Sequence, residues 1–338
     1  MPQKSVAGKT GRRSPRGRFC VCLRNRYGSC RRGGRDFGLC APLGRSEGKR
    51  IVKLADTVAV VTGAGRGIGR AIATAQADEG AKVALLSRTA AEIEAVAAAI
   101  VAKGGAARAY VVDVVDRGAV DNALAAIERE LGPVSLLTNN AGAFFGIGPI
   151  WTVDPDAWWR DVETNVRGAF NCCRAALPGM LARRRGRIVN LAGGGAATSF
   201  PNGSGYATSK AGLLRFTECV NDTLAGTGVL AFAMDPGLVR TAMTEHQLNS
   251  EAGRVYLDAI PKLFASGVNV PPTLAARLSV EIGSGRFDKL AGRMLMAARG
   301  DLDLDEAAID AIVAGDLRSL RLNGPPPHPD RAATERSG

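Results

Sequence analysis

From residue 56 onward, short apolar runs alternate with longer stretches of helical period. Seven runs read as strands: Val58–Thr62, Lys82–Ser87, Arg108–Val112, Val134–Asn139, Arg187–Leu191, Val229–Met234 and Arg293–Ala297. They are apolar at both parities, the pattern expected of strands covered on both faces. The intervening segments carry helix punctuation. Thr89 with Glu92 three residues on predicts a capping box, and Gly104–Gly105 predicts a stop after Lys103. Asp154–Pro155 predicts an N-cap followed by a first-turn proline. Strictly alternating strands and helices predict one α/β domain, about 54–300, with a parallel sheet and right-handed crossovers. A helix-patterned stretch, Glu306–Leu320, and a proline-rich end then make residues 301–338 an appendage.

Charge separates the start of the chain from the rest. Residues 1–53 hold 15 Lys and Arg against 2 acids, whereas the remaining residues hold 29 against 30. The basic balance belongs to an Arg- and Gly-rich arm without apolar periodicity, which is expected to be disordered. A solvated tail or over-long start, an organelle-targeting peptide and a nonspecific polyanion-binding arm are the readings open for it. A nucleic-acid-binding body is excluded by its near-neutral charge, leaving at most nonspecific contact through the arm. Four of the seven cysteines lie in the arm, and Cys172, Cys173 and Cys219 are too few for a disulfide framework. A reducing, cytoplasmic location is expected, with organelle import through the arm as the alternative. With only His246 and His328, a histidine triad or histidine-rich metal centre is not expected, and no metal is assigned. No apolar run approaches 18 residues, so no membrane span is predicted.

The chemistry begins where the first strand enters Thr62-Gly63-Ala64-Gly65-Arg66-Gly67-Ile68-Gly69, with a helix expected from near Ile68. Glycines allow a tight turn and close approach of backbone to a ligand, and the N–H groups and dipole of a helix start favour a diphosphate. The spacing is not G-x-G-x-x-G, because the sixth position is Ile68. The second strand ends at Ser87-Arg88, where a protein selecting NAD places a carboxylate for the ribose 2′-hydroxyl. Ser87, Arg88 and Arg66 instead suit a 2′-phosphate, so NADP(H) is the preferred cofactor and NAD(H) the secondary one. Asp113, at the end of the third strand, is a candidate adenine contact.

These features resemble the short-chain dehydrogenase/reductase family. The match runs through Thr62-Gly63-x-x-x-Gly67-x-Gly69, Asn139-Asn140-Ala141-Gly142, Asn165, Gly186–Asn190, Tyr206-x-x-x-Lys210 and Asp235-Pro236-Gly237. Six signals in order over residues 56–241 carry it; Tyr-x-x-x-Lys alone is weak. The resemblance implies a Rossmann-type, doubly wound, seven-stranded parallel sheet with helices on both faces. It implies hydride transfer between a carbonyl and a secondary alcohol of a small-molecule substrate. Tyr206 would be the acid/base, Lys210 its electrostatic partner and a holder of the nicotinamide ribose, and Asn165 would orient a water in the proton relay. Cofactor contacts are implied at Thr62, Gly63, Gly65, Arg66, Gly67, Ile68, Gly69, Ser87, Arg88, Asp113, Val114, Asn140, Ala141, Gly142, Tyr206, Lys210, Pro236, Gly237, Val239 and Thr241. A homodimer or homotetramer through the helices bearing Asn165 and Tyr206 is likewise implied. The chemistry is sound on its own terms. A phenol near pKa 10 is a poor base at neutral pH, and a lysine four residues on, on one helix face, stabilises phenolate.

One position departs from the family. The serine expected 13 residues before the tyrosine is Gly193, within Leu191-Ala192-Gly193-Gly194-Gly195. Losing such a donor is worth about 2.7–4 kcal/mol of transition-state stabilisation. Thr198, Ser199 or Ser204 could replace it, or Tyr206 could polarise the carbonyl alone. The third alternative is a degenerate cofactor-binding regulatory or scaffold protein with little catalysis. If a missing donor limits turnover, Gly193→Ser should raise it. Specificity is expected in residues 241–270, where Met243, Leu248, Tyr256, Leu257, Ile260, Leu263 and Phe264 read either as an apolar lid or as core. Phe144, Phe145 and Trp151 are expected on the opposite wall, and His246 reads as a surface lid residue.

Overall fold

The computed structural model describes residues 52–321. Apart from Val52 and Lys53, the expectations for residues 1–53 lie outside the described residues, as do those for the proline-rich end and His328. Seven parallel strands form one sheet: β1 (Val58–Thr62), β2 (Lys82–Ser87), β3 (Ala106–Val111), β4 (Val134–Asn139), β5 (Gly186–Leu191), β6 (Val229–Asp235) and β7 (Met294–Met296). The spatial order is β3-β2-β1-β4-β5-β6-β7. This is the doubly wound, Rossmann-type arrangement, and the order reverses between β1 and β4, where a crevice opens beyond the strand ends.

Continuous apolar runs place β1, β2, β4, β5 and β6 between two helical layers. One core joins the sheet to α1 (Gly67–Asp78), α2 (Ala90–Ala102), α10 (Pro272–Ser284) and α11 (Glu306–Ala314), through Ile72, Ile93, Leu278 and Ile309. The opposite core joins it to α3 (Arg117–Glu130) and α5 (Gly168–Ala182) through Val120, Ile127, Cys172 and Met180. β3 differs from expectation. As an edge strand it is paired on one side only, by β2, and Val111 is exposed despite its apolar run.

The remaining helices cluster beyond the strand ends. They are α4 (Pro155–Val162), α7 (Ala242–Asn249), α8 (Glu251–Tyr256) and α9 (Ala259–Ala265), while α6 (Ser204–Thr223) packs along β5 and β6 beside α5. Asp154 caps α4 by accepting the Asp156 N–H at 2.9 Å, with Pro155 in the first turn as expected. The capping box at Thr89 does not form. The Thr89 N–H goes to Ser87 Oγ at 3.3 Å, and the Thr89 side chain makes no cap bond. The segment expected to be helical to Leu320 stops at Ala314, because Asp316 and Arg318 take positive φ values of 46° and 67°. Asp301, fully buried, accepts the Met296 N–H at 2.7 Å and pairs with Arg318, so this last segment packs on the sheet edge.

Candidate active site

At the crevice, the turn after β1 and the turn after β4 are stitched together. Thr62 Oγ1 accepts the N–H groups of Asn140 (3.0 Å) and Ala141 (2.9 Å). Asn140 Nδ2 donates back to the carbonyls of Thr62 (2.9 Å) and Gly63 (3.1 Å). The glycines here answer two different demands. Gly63 and Gly67 hold φ values of +62° and +54°, whereas Gly69 has no room: a Cβ there would lie 2.2 Å from the Gly63 carbonyl oxygen. The N-cap of α1, Arg66, uses no side chain to cap the helix, and Gly67, Ile68 and Gly69 line a cavity of about 490 Å³. N–H groups at a helix start facing a cavity, with no side-chain cap, suit an anion.

The opposite end of that cavity holds Tyr206 and Lys210, one turn apart on α6. A buried polar chain fixes the helix against the sheet. Asn139 Nδ2 donates to Asn190 Oδ1 (2.8 Å), and Asn190 Nδ2 donates to Thr217 Oγ1 (2.9 Å). Lys210, buried, donates to the Leu191 carbonyl at 2.8 Å, and its Nζ lies 5.5 Å from the Tyr206 ring centre. Burial pulls its ammonium down to about 8. Burial, and then the fields of Asp235 and Asp161, push the Tyr206 phenol well above its usual range. Without ligand the pair is therefore a neutral phenol beside a readily titrated ammonium.

Asn165 sits in a π-turn (Glu163–Arg167) joining α4 to α5, a local irregularity of the kind often found at functional sites. Its side chain is fully engaged. Nδ2 donates to the Ala143 carbonyl (3.0 Å) and Ser209 Oγ (2.7 Å), while Oδ1 accepts the Ala143 N–H (2.8 Å). It ties the turn after β4 to the helix carrying Tyr206, and it does not line the cavity.

Of the expected cofactor contacts, Thr62, Gly65, Gly237 and Val239 stand behind the cavity wall, and the others line it. Gly237 takes φ +79° and its N–H donates to Asp235 Oδ1 (2.9 Å). Arg66 and Arg88 both face the cavity, paired loosely with Glu92 (3.6 Å) and Asp113 (3.7 Å). Thr241, the N-cap of α7, closes the cavity from the far side and lies 3.3 Å from where a Gly67 side chain would begin.

On the substrate side, Phe144 stacks on Tyr206 with centres 4.5 Å apart and planes at 11°. Phe144 and Phe145 line the wall as expected, but Trp151 is 82% exposed and does not reach it. Of the residues after β6, Met243 lines the cavity, and most of the others form an apolar cluster beside it. Leu257 and Ile260 pack with Phe144, and Met243, Leu248, Tyr256 and Phe264 join them around Tyr206, whereas Leu263 is exposed. His246 is exposed yet also borders the cavity, edge-on to Phe145 at 5.5 Å.

Gly193 takes φ +109°, a backbone conformation that disfavours any side chain. None of the proposed replacements lines the cavity: Thr198 and Ser199 are exposed, and Ser204 Oγ accepts the Trp158 indole N–H at 3.0 Å.

Two residues escaped sequence reasoning. Glu92 lines the cavity, whereas its position marked it as a local cap. Asp161, fully buried, accepts the N–H groups of Phe145 (2.8 Å) and Gly146 (2.9 Å), and burial raises its carboxyl against those hydrogen bonds. The available signal for Asp161 was spacing, since Ala157, Asp161 and Asn165 lie four apart on one buried face.

A family model described as short chain dehydrogenase matches residues 57–252. The chain belongs to the short-chain dehydrogenase family, an oxidoreductase family whose members bind a nicotinamide dinucleotide. It is 34% identical to the short chain dehydrogenase mpl6 of Monascus purpureus over 268 residues, covering 78% of this chain and 87% of that one. It is 37% identical over 193 residues to a short chain dehydrogenase of Pseudocercospora fijiensis, covering 56% of this chain and 62% of that relative's length. A solved structure from Beutenbergia cavernae, described as a candidate NAD(P)-dependent gluconate 5-dehydrogenase with bound NADP at low occupancy, has a TM-score of 0.66. It is 32% identical, covering 75% of this chain and all of that one. No described helix is long and apolar enough to cross a membrane.

Proposed function

We propose that the chain is an NADP(H)-preferring oxidoreductase that interconverts a carbonyl and a secondary alcohol, with Tyr206 moving the proton at the substrate oxygen. One observation carries this reading: a single cavity is lined by Arg66 and Arg88, by the N-terminal turn of α1, and by Tyr206 and Lys210. The residues fit a dinucleotide. Side chains at Gly63 and Gly69 would collide with the turn after β4 and with the Gly63 carbonyl, so the tight turn that brings backbone N–H groups to the cavity needs glycine there. One at Gly142 would begin 3.1 Å from Asn165 Oδ1 and 3.8 Å from Lys210 Nζ. The volume lies within the range of small-molecule sites.

In this reading the N–H groups of Gly67, Ile68 and Gly69 hold the diphosphate, and Arg66, Ser87 and Arg88 receive the 2′-phosphate. Asp113 and Val114 border the adenine, and Lys210 holds the nicotinamide ribose. When bound, the nicotinamide supplies or accepts the hydride. The neutral phenol of Tyr206 is suited to give its Oη proton to a carbonyl oxygen as charge develops there, and the Lys210 ammonium favours the phenolate that results. Phe144 keeps the phenol ring in one plane, and Asn165 fixes the turn from which Phe144 projects.

A second reading is favoured by Gly193, which offers no side chain to the substrate oxygen: a cofactor-binding protein with little catalysis. Titration with NADPH and NADH, followed by NADPH oxidation over a panel of ketones and aldehydes, separates the two. Binding with turnover supports the enzyme, binding without turnover across the panel supports the second reading, and no binding overturns both. We also propose a cytoplasmic homodimer or homotetramer. The half-exposed Phe170 on α5, edge-on to Phe216 of α6 at 6.4 Å, supports an interface there. Sedimentation as a monomer at micromolar concentration would contradict it.

A further inference from the structure

Glu92 is the residue whose place the expected local motif does not explain. At the third position of α2 it should have turned back to the Thr89 N–H, but that N–H is taken by Ser87 Oγ. The Glu92 side chain lies instead over the glycine turn. A Cβ at Gly65 would begin 2.7 Å from Glu92 Cβ and 2.8 Å from Oε2. Its other carboxylate oxygen, Oε1, is 3.6 Å from Arg66 Nη1, and the side chain lines the cavity beside Ser87, Arg88 and Thr89. Arg88, in turn, has Asp113 at 3.7 Å. The two guanidiniums at this end of the cavity are thus matched by two carboxylates before any ligand arrives.

That balance has opposite consequences for the two dinucleotides. A 2′-phosphate carries between one and two negative charges at neutral pH, so it must share this wall with the Glu92 carboxylate and draw Arg66 from it. A free ribose 2′-hydroxyl adds no charge and leaves the Arg66–Glu92 pair intact. We propose that Glu92 sets the discrimination between NADPH and NADH by opposing the 2′-phosphate, a specificity role that rests on the NADP(H) reading above. The closeness of α2 also explains why Gly65 carries no side chain: a Cβ there would begin 2.7 Å from Glu92 Cβ and 2.8 Å from its Oε2, and would displace Glu92 from the wall.

The test is equilibrium binding, independent of turnover. Dissociation constants for NADPH and NADH are measured by calorimetry on the full chain, as wild type, Glu92→Gln and Glu92→Asp. Removing one partly exposed charge near the phosphate should tighten NADPH about 3- to 10-fold and leave NADH within about twofold. The gain should shrink as salt is raised from low to physiological strength, since screening acts on exposed charges. Glu92→Asp keeps the charge but withdraws it by one methylene, so it should show a smaller gain; it also carries the test if the amide variant proves unstable. An unchanged NADPH-to-NADH ratio in both variants overturns the proposal, as does a ratio that moves only because NADH binds more weakly. Wild type that binds neither nucleotide overturns the NADP(H) reading itself, whereas wild type that binds both with an unmoved ratio overturns only the role of Glu92.

Discussion

The two ends of the cavity are built on different principles. The end at the turn after β1 is made of backbone: glycines too crowded for side chains, N–H groups at a helix start, and Thr62 and Asn140 clamping one turn to another. The end around Tyr206 is made of side chains gathered from the turn after β4, from α6 and from the helices after β6. The first tolerates almost no substitution, because side chains at Gly63 and Gly69 would collide with the turns themselves. The second can vary in shape as long as Tyr206, Lys210 and the buried network beneath them stay in register. That contrast teaches where cofactor binding and substrate choice are separately encoded.

Disrupting the backbone end should have the largest effect. In Gly69→Ala the new methyl meets the Gly63 carbonyl, and neither element can yield without opening the turn. NADPH affinity is expected to drop about 100-fold, equal to about 2.7 kcal/mol. Affinity within threefold of wild type would show that the turn has slack.

At the side-chain end, the sharper probe is pH. Burial holds Lys210 at about 8, so the ammonium is present below that pH and lost above it. For carbonyl reduction, kcat/KM should be level through neutral pH and fall about tenfold per unit well above 8. Lys210→Arg stays charged and should remove that descending limb, even if the rate is lower throughout. A wild-type profile that climbs between pH 8 and 10 would contradict the role assigned to Lys210.

Gly193 tests whether the departure from the family is a simple deletion. If a missing donor alone limits turnover, Gly193→Ser should raise it, but φ +109° changes that expectation. A Cβ would have room, its nearest neighbours being Pro236 Cδ at 3.5 Å and Asp235 Oδ1 at 3.6 Å, yet the backbone itself resists it. Strain of about 1–3 kcal/mol should lower the melting temperature by roughly 2–4 °C per kcal/mol without a gain in turnover. Faster turnover with unchanged stability would show that the loop relaxes and accepts the hydroxyl. The smallest effect should come from Arg88→Ala, since the guanidinium is largely exposed. NADPH should weaken about 5- to 10-fold and NADH much less. Equal losses would argue against a 2′-phosphate at this position.

How far the sequence could be read follows the same division. The sheet was legible because buried strands need continuous apolar runs, and the glycine turn because only glycine satisfies its geometry. Tyr206 and Lys210 were legible because four residues make one helical turn. Glu92 was not, because a local motif offered it a partner three residues away while its real neighbours, Gly65 and Arg66, precede it by 27 and 26 positions. Asp161 was hidden in the same way: its hydrogen bonds reach back to Phe145 and Gly146 across a loop of no regular period. Trp151 was assigned to the cavity wall by proximity in sequence to Phe145, and the turn at Pro149 carries it to the surface instead. The sign of φ at Gly193 leaves no trace in a run of three glycines.

The central claim is that Tyr206 moves a proton beside a bound nicotinamide, and a single-turnover comparison tests it directly. Wild type and Tyr206→Phe are each loaded with NADPH and mixed with a carbonyl that wild type reduces, and NADPH absorbance is followed in a rapid-mixing instrument. The phenylalanine variant should bind NADPH as wild type does and oxidise it at least about 100-fold more slowly, the loss expected when a general acid is removed. Equal rates in the two proteins would show that the proton comes from elsewhere.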